Sequence, residues 1–175
     1  MSPKFNDIVR LPEAHYEIDV SWDRMEWALE NFHQDYSLEM NPDFQRAHVW
    51  TREQQIAYVE WILKGGETGK TVFFNCPGWQ GSRDVGKMVL VDGKQRLEAV
   101  RAFMHNEIPA FGHLFKEYTD RLRSVLIGFK FRIAALDTRA DVLRWYLAIN
   151  AGGTPHTSDE LDRVRKLLEE EEAKQ

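Results

Sequence analysis

Apolar residues recur at helical spacing in five stretches of the chain and in short strand-like blocks in four others. Tyr16 to Val20 alternates as a short strand does, and Ser21 opens a helix whose apolar face is Trp22, Met25, Leu29 and Phe32. Thr51, with Gln54 three residues on, forms a capping box for a second helix. That helix carries Ile56, Val59, Ile62 and Leu63 on one face and stops at Gly65-Gly66. Thr71 to Asn75 and Met88 to Val91 read as buried strands, with a glycine-rich connection from Cys76 to Lys87 between them. Asp92-Gly93 then turns the chain directly into a helix with Leu97, Val100, Phe103 and Met104 inward. Val125 to Leu136 is the longest strand candidate. Thr138 with Asp141 starts a helix bearing Val142, Tyr146 and Ile149, and Thr157 with Glu160 starts a last one bearing Leu161, Val164, Leu167 and Leu168. Residues 169–175 are expected to fray as an acidic tail. Strands and helices intermix without an internal repeat, which predicts a compact α+β or α/β domain with a small sheet.

Composition narrows the class without changing this picture. The 175 residues are 43% hydrophobic and 29% charged, as in ordinary globular proteins, so a single domain is expected over residues 1–175. No run of about 18 apolar residues is present, and Met1 to Asp7 lacks the apolar core of a secretory signal. One cysteine, Cys76, cannot make an internal disulfide or a cysteine-rich zinc site. A cytoplasmic protein without membrane partners is the expectation.

The net charge of -5 lies mostly in the tail, since Asp159 to Gln175 holds seven acidic and four basic side chains, leaving -5 + 3 = -2 for the rest. A near-neutral body does not coat nucleic acid by bulk electrostatics, so any polyanion site must be local. The one basic stretch, Lys116 to Arg132, reads as a solvated helix and strand face. The six histidines show no i, i+4 pair, which gives zinc little support.

Three segments carry candidate chemistry, and a fourth is a false lead. Lys64 to Thr71 looks like a P-loop, but GxxxxGK[ST] needs glycine where Lys64 stands, and this segment leaves a helix for a strand rather than the reverse. Val89-Leu90-Val91-Asp92-Gly93-Lys94-Gln95-Arg96-Leu97 is different: a strand ends, glycine turns, and the positive end of a helix faces outward. There Arg96 can grip two phosphate oxygens, Lys94 adds a point charge, and Asp92 can hold a divalent cation or orient a water. The plainer alternative has Asp92 capping the helix and Arg96 pairing with an acid such as Glu98 or Asp84. Gln45-Arg46, followed by His48 and Trp50, forms a second polar cluster able to face an anion, although Trp50 by itself reads as a core residue stapling the helix start. Asn150 to Pro155 is a glycine-rich turn that alone reads as structural.

Taken in order, these segments resemble the ParB-like domain at the N-terminus of GmrSD-type restriction endonucleases, also found in phosphorothioate-sensing SspE proteins. The matching runs are Pro42-Asp43-Phe44-Gln45-Arg46-Ala47-His48-Val49-Trp50, Leu90-Val91-Asp92-Gly93-Lys94-Gln95-Arg96-Leu97, and Ile149-Asn150-Ala151-Gly152-Gly153-Thr154-Pro155 through Glu160-Leu161. The resemblance implies a ParB/sulfiredoxin-like α+β fold, a small mixed sheet flanked by helices, whose D-G-Q-Q-R motif binds a nucleoside triphosphate with Mg2+. It implies a phosphate site of Asp92, Gly93, Lys94, Gln95 and Arg96, a second wall of Gln45 and Arg46, and Asn150 near the same pocket. Asp92, Arg96 and Arg46 are then the expected catalytic groups and Asp92 the metal ligand.

The chain departs from the family pattern at Lys94, where glutamine is usual, and nothing after Glu172 supplies the HNH nuclease of the family's restriction enzymes. A stand-alone nuclease is therefore not expected. The leading expectation is a nucleotide-binding, NTP-hydrolysing domain in DNA restriction, phage defence or DNA modification, with DNA and a separate nuclease or modification subunit as partners. Two alternatives stay open: a phosphotransferase acting on a hydroxyl or a modified base, and a non-catalytic module that senses nucleotide or binds DNA.

Overall fold

The computed structural model describes residues 16–45, 50–79, 85–120, 127–150 and 158–174. Four strands form one mixed sheet in the order β1-β4-β2-β3: β1 (Tyr16–Ser21), β2 (Thr71–Asn75), β3 (Val89–Asp92) and β4 (Gly128–Ala134). The central pair, β2 and β4, is parallel, and each outer strand joins antiparallel. Among the described residues five helices flank the sheet: α1 (Met25–Tyr36), α2 (Arg52–Leu63), α3 (Lys94–Met104), α4 (Arg139–Asn150) and α5 (Ser158–Glu172). The expected α+β class is the observed one.

Strand alternation builds two cores, one on each sheet face. Val72, Phe74, Leu90, Phe129, Phe131 and Ile133 point toward α1, α2 and α3, where they pack with Phe32, Val59, Ile62, Leu97 and Phe103. Phe73, Val91 and Ala134 face the other way, against Leu143, Trp145 and Tyr146 of α4 and Val164 of α5. The capping box at Thr51 and Gln54 is formed as the sequence predicts, and Thr138 accepts a bond from the Asp141 N–H. Before α1 the chain makes a short 3-10 turn, Trp22–Arg24, which the apolar spacing alone does not distinguish from the helix itself.

The acidic run expected to fray instead continues α5 to Glu172 and is tied to α4. Glu172 meets Arg144 at 2.6 Å, and Glu171 meets Arg139 at 3.5 Å. Lys130 and Arg132 of the basic stretch pair across β1 and β4 with Glu17 and Asp19, as a solvated strand face does. Arg132 and Lys130 hold the Glu17 carboxyl below its ordinary pKa, the Arg132 hydrogen bond being the larger cause. Among the described residues, no helix is long and apolar enough to cross a membrane.

Cys76 follows β2 and is fully buried, its Sγ 3.4 Å from the Gly86 carbonyl. Burial pushes its thiol up to about 11, whereas an exposed cysteine titrates near 8.5. At pH 8 roughly one native molecule in a thousand then carries a thiolate, the form that reacts. Labelling by a thiol reagent at pH 8 is therefore expected to be slow until denaturant is added. Prompt stoichiometric labelling of the native protein would contradict this placement.

Candidate functional site

Strand β3 runs into α3 through one residue, Gly93, whose φ is 111°. Only glycine suits this junction. A Cβ there would stand 2.9 Å from Val72 Cγ1 and 3.1 Å from the Val72 backbone, so any side chain would force α3 away from β2. A bulge precedes the turn: Phe73 opposes Asp92 while Phe74 opposes Leu90, which leaves Val91 as the extra residue. Such an insertion redirects a strand end, here the one that carries Asp92.

The N-cap of α3 is Gly93, which has no side chain to cap with, so among the described residues the positive end of its dipole carries no N-cap side-chain bond. Asp92 does not cap the helix; it pairs with Arg96, one turn along. Arg96 does take a neighbouring acid, but among the described residues this is Asp92 within the motif rather than Glu98, which binds Arg101; Asp84 lies outside the described residues. The pair leaves Arg96 Nε buried and without a hydrogen-bond partner among the described residues. Lys94 has no acidic partner among the described residues and is half-buried.

These groups line a cavity of about 640 Å³, within the usual range for small-molecule sites. Its remaining walls are largely aromatic. Trp50 and Tyr58 pack with their rings tilted at 57° and centres 5.3 Å apart, Trp61 donates from Nε1 to the Thr68 carbonyl, and Phe73 and Tyr146 close the side formed by β2 and α4. Tyr58 donates its hydroxyl to the Gly69 carbonyl at 2.8 Å. Burial holds the Tyr58 phenol well above its ordinary pKa against the opposing pull of Arg96, so at neutral pH it is a neutral donor and not a base.

The sequence places Gln45, Asp92, Gly93, Lys94, Gln95, Arg96 and Asn150 at one site, and all seven border this cavity. Arg46 lies outside the described residues, as do His48 and the Gly152-Gly153 turn. Three roles differ from the expectation. Gln45 donates both carboxamide N–H groups to backbone, reaching Leu90 O at 3.0 Å and Val91 O at 2.8 Å, and so satisfies the outer edge of β3. It has no donor left for an anion. Gln95 is buried, and its Oε1 accepts from the Trp50 N–H at 3.1 Å, which ties the loop before α2 to the first turn of α3. Trp50 is both staple and cavity wall.

Sequence reasoning missed Tyr58, Trp61, Thr68, Gly69, Thr71 and Phe73, and on α4 it named Asn150 but not Tyr146 or Ile149. The rejection of a P-loop is sound in that Lys64–Thr71 does lead from α2 into β2. Even so, its Thr68, Gly69 and Thr71 form part of the wall, and a Cβ on Gly69 would lie 3.4 Å from Tyr58 and 3.9 Å from Arg96. Tyr58 and Trp61 sit three apart on α2, off the face of Val59 and Ile62, and that spacing was the available signal.

Asp92 is the only carboxylate on the cavity wall among the described residues, and no group of three His, Cys, Asp or Glu there is placed to hold a metal. A cage made wholly of protein ligands is thus not what these residues build. A single carboxylate does suit Mg2+ that arrives on phosphates and keeps several waters.

No curated protein and no solved structure matches the chain. The family model described as the GmrSD restriction endonuclease N-terminal domain matches residues 29–130, more than half of the chain. That span runs from α1 into β4 and contains both the Gln45 loop and the β3–α3 turn, while Asn150 lies beyond it. The open helix end, its two cations and the cavity they border are therefore features of a chain that belongs to the GmrSD restriction endonuclease N-terminal domain family.

Proposed function

We propose that the cavity binds a nucleoside triphosphate and, with Mg2+, hydrolyses it, within the restriction or phage-defence role of the family. One observation carries the reading: the uncapped start of α3, Lys94 and Arg96 border the same cavity as the aromatic rings of Trp50, Tyr58 and Trp61. An open helix end with two cations suits phosphates, and aromatic faces suit a base.

In this reading Arg96 binds the phosphates and stabilises the negative charge that grows during transfer, and Lys94 adds attraction. Bound Mg2+ neutralises phosphate oxygens, and Asp92 is the carboxylate that would hold it. Arg46, next to Gln45 in the sequence, is a candidate third cation. The test is a turnover assay of the full chain with each of the four NTPs and Mg2+, with and without DNA. Release of inorganic phosphate is expected. Phosphate found on an acceptor would make the protein a phosphotransferase, and binding without turnover over hours would make it a nucleotide sensor.

Lys94, where the chain departs from the family's glutamine, separates binding from turnover. Lys94→Gln is expected to weaken nucleotide binding at low salt and to matter less at high salt, where screening has already reduced the lost attraction. Turnover should persist or rise, because a charge that favours ground state and transition state alike does not lower the chemical barrier. Titrations and rates at two salt concentrations check this. Loss of turnover at unchanged affinity would instead make Lys94 a catalytic group.

A further inference from the structure

The turn Pro42-Asp43-Phe44-Gln45 bridges the end of β3 and the helices α4 and α5. It is closed by the Gln45 N–H, which donates to the Pro42 carbonyl at 2.9 Å. The Gln45 side chain then reaches the carbonyls of Leu90 and Val91, the two residues before Asp92. Each of the last three residues of the turn is also held from the helices. Asp43 meets Arg139 of α4 through both carboxylate oxygens at 2.7 Å, and the Phe44 ring packs edge-on against Tyr146 of α4 with centres 5.5 Å apart. Arg163 of α5 donates from a single nitrogen, Nη2, to the carbonyls of Phe44 at 3.3 Å and Gln45 at 3.2 Å.

Successive carbonyls of an extended chain point to opposite sides, so two of them reach one nitrogen only where the chain curls. The Arg163 guanidinium therefore fixes the curl at Gln45, the residue whose side chain continues to β3. Gln45 and Tyr146 both border the cavity, and the carbonyls that Gln45 holds lead directly into Asp92, which borders it too. Among the described residues α5 itself adds nothing to the cavity wall, and it lies beyond the span 29–130 matched by the family model.

From this bridge we propose that Arg163 is a positioning residue for the cavity: acting from α5 through the Phe44 and Gln45 carbonyls, it keeps the Gln45 wall ordered and so raises affinity for nucleoside triphosphate without touching it. The assignment rests on the nucleotide-binding reading above and goes beyond it by giving the C-terminal helix a share in the site. The effect is one of pre-organisation. A wall that is already ordered adds no ordering cost when ligand arrives, whereas a Gln45 released from its anchor must be immobilised at that moment.

Arg163→Ala in the full chain tests this. Arg163 is exposed, and its buried neighbour Val164 carries the packing of α5 on α4, so the variant should fold, with a melting temperature within a few degrees of wild type. Titration with each of the four NTPs and Mg2+ should show a Kd raised about three- to tenfold at low and at high salt alike, the scale of re-ordering one side chain on binding. Attraction lost with the Arg163 charge alone would instead be screened at high salt. Arg165→Ala removes a like charge from α5, where Arg165 pairs with Asp162 of the same helix, and should bind as wild type does. Amide exchange at Gln45 should quicken in R163A and not in R165A. Wild-type affinity in R163A, an effect that vanishes at high salt, an equal effect in R165A, or unchanged exchange at Gln45 in R163A would overturn the proposal and leave nucleotide binding standing. A wild-type chain that binds no NTP would instead overturn the functional reading on which it rests.

Discussion

Replacing Arg96 with alanine is expected to raise the Kd for nucleoside triphosphate by roughly ten- to a hundredfold, corresponding to about 1.5 to 3 kcal/mol for a charged hydrogen bond. The fold should survive. Arg96 and its partner Asp92 are 21% and 24% exposed, and an ion pair in contact with water contributes at most about 1 kcal/mol to stability. The next residue provides the contrast. Leu97 is fully buried in the core beneath α3, so Leu97→Ala should cost about 2 to 5 kcal/mol of stability. Its effect on binding should be no larger than the loss of folded protein explains. Urea denaturation and nucleotide titration of both variants separate the two roles. Equal losses of stability would mean that the Asp92–Arg96 pair serves the fold and not a ligand.

Gly93→Ala is expected to be the most damaging small substitution at the site, and Gly65→Ala measures why. Both glycines have positive φ, 111° at Gly93 and 91° at Gly65, so each alanine bears backbone strain of about 1 to 2 kcal/mol. Their surroundings differ. A Cβ on Gly65 meets nothing within 4 Å, while one on Gly93 runs into the side chain and backbone of the fully buried Val72. Overpacking adds about 1 to 3 kcal/mol. Gly93→Ala should therefore lower the urea midpoint clearly more than Gly65→Ala does. It should also weaken nucleotide binding, because relief of the clash moves the first-turn N–H groups of α3. Equal midpoints for the two variants would contradict the close packing of this turn on β2.

Much of the fold is legible along the chain because its determinants are local. Thr71 to Asn75 is a strand with the predicted bounds, the Thr51 capping box needs only residues three apart, and Asp92-Gly93 announces the strand-to-helix turn by itself. That Asp92, Lys94 and Arg96 would lie together, as they do on one cavity wall, was legible for the same reason. The direction of each polar group was not. Whether Gln45 offers donors or an acceptor depends on carbonyls 45 and 46 residues away, and whether Asp92 caps or pairs depends on a bulge that β2 imposes on β3. The aromatic wall was hidden differently: Tyr146 belongs to the apolar stripe of α4 and is buried, yet it also borders the cavity, and periodicity records only its burial.

The central claim is that the open end of α3 binds phosphate while the aromatic walls hold the base. Calorimetric titration of the full chain, with Mg2+, using each of the four nucleoside triphosphates and the four matching nucleosides, tests it most directly. At least one triphosphate should bind with a Kd in the micromolar range or tighter, and its nucleoside should bind at least about a hundredfold more weakly, since the phosphates provide the charged contacts. Failure of all four triphosphates to bind, or nucleosides binding as tightly as their triphosphates, would contradict the account.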